Sequence, residues 1–260
     1  MSLLWKISRP QLSNPSYILG TMHIQPKKNP DWITAFEPYL ASCESFATEF
    51  NLAEVDNNLL SEYAQIPNNQ SLADFIRPKK LAKLERIFLK SAGLPLGRLL
   101  NMRPLFITNL LTEKILTDDN SVAMDSELYE LAQTLGKECT GIETFAEQLA
   151  ILEQIPLAYQ VKSLLKIGKN IKQFRKGLKR MFSIYESEDV QKIHKIAKKG
   201  AGKMRKLMLY RRNELMADRF SEKIYKKSIF CAIGAGHLGG KQGVLRLLKQ
   251  KGLIVKPVIY

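Results

Sequence analysis

Apolar runs of strand length near both ends of the chain are each followed by the same Gly-x-x-His motif. Residues 17–19 precede the first copy, at 20–23, and residues 229–233 precede the second, at 234–237. Apolar positions with helical spacing follow each copy, and a further apolar run follows each of those segments. The pattern therefore predicts two strand–helix–strand units, each with its motif at the carboxyl end of the first strand.

A third, shorter unit is predicted between these two. Residues 121–124 have the pattern of a strand that ends at Asp125, residues 127–135 have helical spacing, and a second strand leads to Glu143. Strand–helix–strand units of this kind build a largely parallel sheet. We therefore expect Asp125 and Glu143 to lie at strand ends equivalent to those of the two motifs.

Long segments with helical spacing separate the three units. Residues 54–116 and 145–227, approximately, are predicted to be mainly helical and to form insertions. A chain of this length suits one large domain. The expected fold is thus a single α/β domain over residues 1–260, with a central, mostly parallel sheet built from units that bear the motifs.

Positive charge is concentrated in one part of the chain. The net charge is +15, and residues 162–212 contain 17 of the 40 Lys and Arg but only 3 of the 25 Asp and Glu. Such a block can bind an anionic polymer, a membrane surface or an acidic partner, or it can be an ordinary solvated helix face. It has few aromatic residues for base stacking, so no specific nucleic-acid binding is expected. His194, inside the block, is predicted to be a surface residue.

The cysteines and the first residues bear on the compartment. Cys43, Cys139 and Cys231 are far apart and form no C-x-x-C pair, which argues against a disulfide framework or a structural zinc site and favours buried, inert thiols. No apolar run approaches the roughly 18 residues that span a bilayer. Residues 1–7 are too short for a signal peptide and resemble a first strand. We favour an extracytoplasmic location, periplasmic or secreted with a leader removed, over a cytoplasmic one.

The histidines of the two motifs are the strongest candidates for chemistry. In open α/β sheets ligands bind outside the carboxyl ends of the strands, where His23 and His237 are expected to lie. Glu49 ends the strand that follows the first helix. Two imidazoles and one carboxylate can hold a divalent metal and leave positions open for water and substrate. Glu49 is thus a candidate metal ligand or, alternatively, a general base. The alternative is that each histidine packs in the core and that Glu49 caps a helix or pairs with an arginine.

Other polar residues near predicted strand ends can support such a site. Asp125 and Glu143 are candidates for a second layer of contacts around the metal, or for a substrate clamp. Arg212 and Asn213 lie in a helical stretch before the last unit, and such a pair can orient a carboxylate or stabilise an oxyanion. The alternative for the arginine and asparagine is a salt-bridged or solvated pair.

Residues 234–239 also fit the dinucleotide pattern G-x-G-x-x-G, which opens a different interpretation. That fingerprint requires an acidic residue about 20 positions later, and residues 256–260 contain none. A Walker A loop fails as well, because Ala235 and Gln242 replace residues that it requires. The G-x-S-x-G motif of serine hydrolases is absent. A nucleotide-binding or serine-hydrolase function is therefore not expected.

Five blocks of the sequence resemble, in order, those of the TraB/GumN family, which includes the TIKI proteases. The blocks are residues 4–7 with 17–23, residues 124–125, residues 141–144, residues 212–213 with 216–217, and residues 234–238. The resemblance spans nearly the whole chain, and residues 251–258 also resemble the family ending. It implies an α/β fold of the wider ChaN and erythromycin-esterase-like group, with a site between the two Gly-x-x-His motifs.

The resemblance also implies an activity. TIKI members are divalent-metal-dependent proteases that use both motif histidines and a glutamate, which correspond to His23, His237 and, by position, Glu49. We therefore expect a metal-dependent hydrolase that acts on a peptide or protein, with Mn²⁺ or Co²⁺, or alternatively Zn²⁺, and with Arg212 among the catalytic residues. Other members of the wider group are not proteases. The alternatives are a non-catalytic protein that binds haem, iron or a peptide, and a binder of anionic polymer or lipid through the basic block.

Overall fold

A six-stranded mixed sheet forms the centre of the fold. The structure, a computed structural model, describes residues 2–10, 14–22, 32–116 and 123–260. Its strands are β1 (Leu4–Ser8), β2 (Ser16–Thr21), β3 (Ser45–Phe50), β4 (Glu138–Glu143), β5 (Ile229–Gly234) and β6 (Ile254–Pro257). They lie in the order β4-β3-β5-β2-β1-β6. With helices between these strands, the predicted α/β class is confirmed.

The strands that carry the motifs are neighbours in the sheet. Four adjacent strands, β4, β3, β5 and β2, are parallel, whereas β1 is antiparallel to both β2 and β6. The mostly parallel sheet is therefore confirmed, with β1 as the exception. β2 and β5 are buried along nearly their whole length, as expected for strands covered on both faces. Because parallel strands end at the same edge, the carboxyl ends of all four lie side by side.

Helices lie between the strands and also fill both of the predicted insertions. Their bounds are α1 (Glu37–Ala41), α2 (Asn57–Ala64), α3 (Leu72–Phe75), α4 (Pro78–Ala92), α5 (Pro104–Leu116), α6 (Met124–Thr134), α7 (Phe145–Glu153), α8 (Leu157–Lys169), α9 (Ile171–Glu186), α10 (Val190–Ala201), α11 (Arg211–Lys223) and α12 (Val244–Gln250). Short 3₁₀ turns occur at Trp32–Ala35, Leu52–Glu54, Leu96–Leu99, Gly202–Met204 and Ala235–His237, and a π-helical turn at Lys206–Tyr210.

The start of the third unit differs from the prediction. Residues 121–122 lie outside the described residues, and Met124 is the first residue of α6 rather than the end of a strand. Asp125 and Glu127 thus occupy the first turn of a helix. Carboxylates are favourable there because the backbone N–H groups of a helix point towards its N-terminus. The prediction that Asp125 follows a strand is therefore wrong, whereas the predicted helix that includes Glu127 is present.

The chain divides into two compact units. The first, which we call the sheet unit, contains Met1–Val55, Ser121–Gln148 and Met181–Tyr260, and all six strands belong to it. The second, the helical unit, contains Asp56–Asn120 and Leu149–Arg180. Each has its own cluster of buried apolar side chains. The single domain expected over residues 1–260 remains a prediction.

The basic block lies on helices with one apolar and one charged face. On α10, for example, Val190 and His194 are buried, while Lys192, Lys195 and Lys199 are exposed. Alternation of this kind at helical spacing is what a helix needs to pack on one side and face solvent on the other. Within the described residues, no helix is long and apolar enough to cross a membrane.

The three cysteines are free thiols. Cys43 and Cys231 are buried and Cys139 is half-buried. Burial raises the pKa of Cys43 to about 12 and also raises the pKa of Cys231 and of Cys139. Since the thiolate is the reactive form, these thiols are poor nucleophiles near neutral pH. The expectation of buried, inert cysteines is confirmed for two of the three.

Candidate active site

The two Gly-x-x-His motifs begin on adjacent strands. β2 and β5 are paired in parallel, with Gly20 opposite Ile233 and Thr21 opposite Gly234. Both strands end at the same edge of the sheet, within one residue of each other in register. His23 itself lies outside the described residues. The parallel pairing therefore brings the start of the first motif beside the second motif.

His237 is held in one orientation by Asn213. The imidazole lies in the 3₁₀ turn after β5, and its Nδ1 is 2.6 Å from Oδ1 of Asn213. Asn213 is fully buried, and its Nδ2 donates to the carbonyl of Gln242 at 2.6 Å. The amide nitrogen is thus committed as a donor, so Oδ1 accepts and Nδ1 of the histidine must carry the proton. In the neutral ring the lone pair is then on Nε2, which lies 3.8 Å from Oε1 of Glu49.

Arg212 joins two carboxylates from neighbouring strands. Glu49 lies near the end of β3 and Glu143 at the end of β4, which pairs with β3 in parallel. Nη2 of Arg212 donates to Oε2 of Glu49 at 2.7 Å and to Oε2 of Glu143 at 2.5 Å. Its Nε donates to both oxygens of Glu143, at 3.1 and 3.0 Å. A single guanidinium therefore orients both carboxyl groups.

This cluster is buried and carries more negative than positive charge when ionised. The side chain of Glu143 is completely shielded from solvent, and those of Glu49 and Arg212 are 16% and 15% exposed. Burial lowers the pKa of Arg212, but the attraction of Glu49 and the hydrogen bonds with Glu143 outweigh that effect and raise the pKa overall. Two carboxylates against one permanent cation leave a surplus of one negative charge. Such a surplus favours binding of a cation nearby.

Further hydrogen bonds position Glu49. Its Oε1 accepts from the backbone N–H of Gly234 at 2.8 Å. Nε2 of Gln148 donates to Oε2 of Glu49 at 3.1 Å and to Oε2 of Glu143 at 3.2 Å. Gln148 lies on α7, directly after β4, and was not among the candidates from the sequence. Together with Arg212 on α11, these donors on β5 and α7 tie the carboxylate of Glu49 to three elements of the fold.

Asp125 supports the first motif rather than the glutamate pair. Its Oδ1 accepts from the hydroxyl of Thr21 at 2.7 Å, two residues before His23. Tyr185, which the sequence did not suggest, donates from its hydroxyl to the carbonyl of Gly20 at 2.8 Å. Burial raises the pKa of Tyr185 well above its usual range, so the hydroxyl keeps its proton and remains a donor. The beginning of the first motif is thus held from α6 and from α9.

His194 is buried, contrary to the prediction of a surface residue, and contacts the second motif. Its Nδ1 is 2.9 Å from the carbonyl oxygen of Gly236. Gln191, one turn earlier on α10, accepts from the backbone N–H of Gly240 at 3.0 Å. The sequence contained a usable indication: Val190, His194 and Ala197 recur at the spacing of one helix face. The positive charge around His194 concealed that apolar face.

The motif glycines are required for close packing rather than for a sharp turn. Gly234 has φ −54°, which any residue can adopt. A Cβ on Gly20 would lie 2.6 Å from Leu238, and one on Gly234 would lie 3.0 Å from Oε1 of Glu49. A Cβ on Gly236 would lie 2.8 Å from Cβ of Ala197 on α10. Contacts inside the protein therefore explain why residues 234–239 are rich in glycine, and no nucleotide-binding role is needed to explain it.

The structure brings together most of the residues proposed from the sequence. The clustered residues are Glu49, Glu143, Arg212, Asn213 and His237. Asp125 lies beside the first motif, and His23 is outside the described residues. Among the described residues, which exclude His23, no three His, Cys, Asp or Glu side chains form a group able to hold a metal ion. His237 and Glu49 do supply two donors 3.8 Å apart, slightly more than the roughly 3.4 Å that separates two ligands each about 2.1 Å from one tetrahedral ion.

Comparisons with known proteins identify the family of this chain and two relatives. The model of the TraB/PrgY/gumN family matches residues 3–257. The chain is 24% identical to Metalloprotease TIKI2 of Danio rerio, across 98% of this chain and 60% of that protein. It is 23% identical to Metalloprotease TIKI1 of Danio rerio, across 98% of this chain and 63% of that protein. The chain thus spans about three fifths of the length of these relatives. No solved structure matches it.

Proposed function

Because the chain belongs to the TraB/PrgY/gumN family, we propose that it is a divalent-metal-dependent hydrolase that cleaves peptides at a site between its two Gly-x-x-His motifs. The observation that carries the proposal is the pairing of His237 with Glu49. The imidazole presents Nε2 towards a carboxylate oxygen 3.8 Å away, and Asn213 fixes its tautomer. The similarity to two metalloproteases supports the choice of reaction.

The donors suit a first-row divalent ion. We propose that His237, Glu49 and His23 hold Mn²⁺ or Co²⁺, with Zn²⁺ as the alternative. Neutral imidazole nitrogen and carboxylate oxygen are ligands that these ions accept. When bound, such an ion supplies Lewis acidity, which polarises a scissile carbonyl and lowers the pKa of water.

Residues around His237 and Glu49 favour the protonation states in which these side chains can bind a metal ion. Asn213 keeps the proton of His237 on Nδ1, as residues behind metal-binding histidines commonly do. Arg212, Gln148 and the N–H of Gly234 donate to Glu49 and so favour its ionised form, which a metal ligand requires. We therefore assign Glu49 as a ligand in preference to a general base.

Glu143 and Arg212 have different proposed roles. Glu143 is fully buried, so it orients Arg212 and does not touch the substrate. Nη1 of Arg212 donates no hydrogen bond to any of the described residues, and this atom can bind the carbonyl oxygen of a peptide as negative charge develops on it. Asp125 holds the beginning of the first motif in place through its hydrogen bond with Thr21.

Metal analysis and peptide cleavage by the purified protein test this proposal. We expect the wild type to retain or take up a divalent ion and to cleave a peptide mixture, with a chelator abolishing cleavage. His23→Ala, His237→Ala and Glu49→Gln should each lower kcat/KM by more than about 100-fold, because removing a ligand costs more than disturbing the residues behind it.

Glu147→Gln is the matched control for the glutamate substitution. Glu147 also lies in the sheet unit, but it pairs with Arg219. This variant should cleave at the wild-type rate. Equal cleavage by the wild type and both histidine variants would contradict the proposal, as would uptake of haem, with its Soret band, in a protein that shows no metal-stimulated cleavage.

A further inference from the structure

A groove of about 330 Å³ lies between α4 and α8 in the helical unit. The two helices approach closely because position 168 is glycine, since a Cβ there would overlap the side chain of Leu84. The lining residues are Leu84 and Ile87 on α4, Leu165 and Gly168 on α8, and Lys80, Lys83 and Lys169. The groove therefore combines an apolar floor with three lysines and contains no acidic side chain.

The floor and the lysines differ in exposure. Leu84 is buried, Ile87 and Leu165 are half-buried, and the three lysines are exposed. Within the part of the chain that the structure describes, no ion pair joins Lys80, Lys83 or Lys169 to a carboxylate. The ammonium groups thus remain available to an anion from solution, while the floor offers apolar surface next to them.

The size and the charge of the groove together indicate which kind of ligand it can bind. An inorganic anion would gain nothing from the apolar floor. A volume of about 330 Å³ is near the lower limit of roughly 300 Å³ for ligand pockets, which suits one alkyl chain and not a two-chain lipid. A docked peptide helix would need a longer apolar strip than Leu84, Ile87 and Leu165 provide.

We propose that this groove binds a single-chain anionic amphiphile, a fatty-acid carboxylate of medium length. The alkyl chain lies on Leu84, Ile87 and Leu165. The carboxylate lies among Lys80, Lys83 and Lys169, where lysine stems can also cover part of the chain. Lysine suits this role because its flexible, compact charge adapts to a mobile head group. The site is separate from the candidate active site and does not depend on its activity.

Calorimetric titration of the full chain with sodium dodecanoate, below its micelle concentration, tests the charged part of the site. The triple variant Lys80→Gln, Lys83→Gln, Lys169→Gln should bind at least about tenfold more weakly, since three exposed ion pairs together supply about one factor of ten. The matched control is Lys79→Gln, Lys90→Gln, Lys166→Gln. It removes the same charge from exposed positions of the same helices outside the groove and should bind within about threefold of the wild type.

A second pair of variants tests the apolar floor. Ile87→Asn should weaken dodecanoate binding, whereas Leu89→Asn should not, because Leu89 lies on the same helix, is 55% exposed and does not line the groove. Circular dichroism verifies that each variant is folded. Acetate, which lacks the chain, and dodecyltrimethylammonium, which lacks the negative charge, should not compete.

Several results would overturn the proposal. These are no binding of dodecanoate, equal weakening by both lysine triples, equal weakening by both asparagine variants, and competition by acetate. Binding to phosphatidylglycerol vesicles without binding of free dodecanoate would assign the lysines to a membrane surface and would also overturn it.

Discussion

Replacing Arg212 with methionine removes the cation that two buried carboxylates share. Methionine keeps an unbranched chain of similar length, so the main change is the loss of charge and of the hydrogen bonds to Glu49 and Glu143. Both carboxyl groups would then face one another with Gln148 as their remaining shared donor among the described residues. We expect a large loss of stability.

The magnitude follows from burial. The side chains of Glu143, Glu49 and Arg212 are 0%, 16% and 15% exposed, and removing one partner of a buried ion pair costs about 3–5 kcal/mol. At about 2–4 °C per kcal/mol for a unit of this size, Tm should fall by roughly 6–20 °C. Replacing Glu143 with glutamine in the same chain should restore part of this loss, because one uncompensated charge is removed.

Arg219→Met provides the matched control. Arg219 lies on the same helix and pairs with Glu147, but these side chains are 33% and 38% exposed. An exposed pair contributes about 0–1 kcal/mol. Urea unfolding at neutral pH, followed by circular dichroism, measures both variants. If Arg212→Met costs no more free energy of unfolding than Arg219→Met, the two glutamates are not held by a shared buried cation and the description of the cluster is wrong.

Three further predictions concern Asn213, Gly236 and Glu147. Asn213→Leu should weaken Mn²⁺ binding about 10–100-fold, measured by titration; unchanged affinity would mean that Asn213 does not orient its histidine. Gly236→Ala should lower the free energy of unfolding by about 1–3 kcal/mol, because the added Cβ would overlap α10. Gly177→Ala should instead raise it by about 0.5–1 kcal/mol, because the Cβ added there would meet no atom within 4 Å. Equal effects of the two variants would contradict the packing of Gly236 against α10. The hydrogen bond from Arg219 holds the pKa of Glu147 at about 2, below its ordinary 4.5. The wild type should therefore have a free energy of unfolding about 1 kcal/mol higher than that of Glu147→Gln after solvent screening. This difference should be complete above pH 4.5 and should be lost as the pH falls towards 2. An advantage unchanged at pH 2 would exclude that ion pair as its source.

The positions of the motifs and of Glu49 could be predicted from local patterns. Apolar runs followed by glycine identified β2 and β5, and the parallel arrangement placed their carboxyl ends at one edge of the sheet. The same reasoning placed Glu49 near that edge, and its Oε1 is 3.8 Å from Nε2 of His237. These inferences succeeded because strands that are covered on both faces have continuous apolar runs, and because parallel neighbours run in the same direction.

The contacts made by α9, α10 and α11 could not be predicted in this way. Arg212 meets Glu143 across 69 positions of sequence, and Tyr185 meets Gly20 across 165. No local periodicity determines which side chain of a helix reaches a given strand end, because that depends on how the helix packs on the sheet. The prediction for His194 is wrong because the lysines around it hide the apolar spacing of its helix face.

Anomalous diffraction from crystals grown with Mn²⁺ tests whether the two motifs form one metal site. We expect a single strong peak within about 2.3 Å of Nε2 of His237, of a carboxylate oxygen of Glu49 and of a ring nitrogen of His23. Loss of that peak in His237→Ala crystals, with Arg212 still bound to both glutamates, would complete the agreement. A peak remote from His237 and Glu49, or no peak at saturating Mn²⁺, would contradict the claim that the two motifs form one metal site.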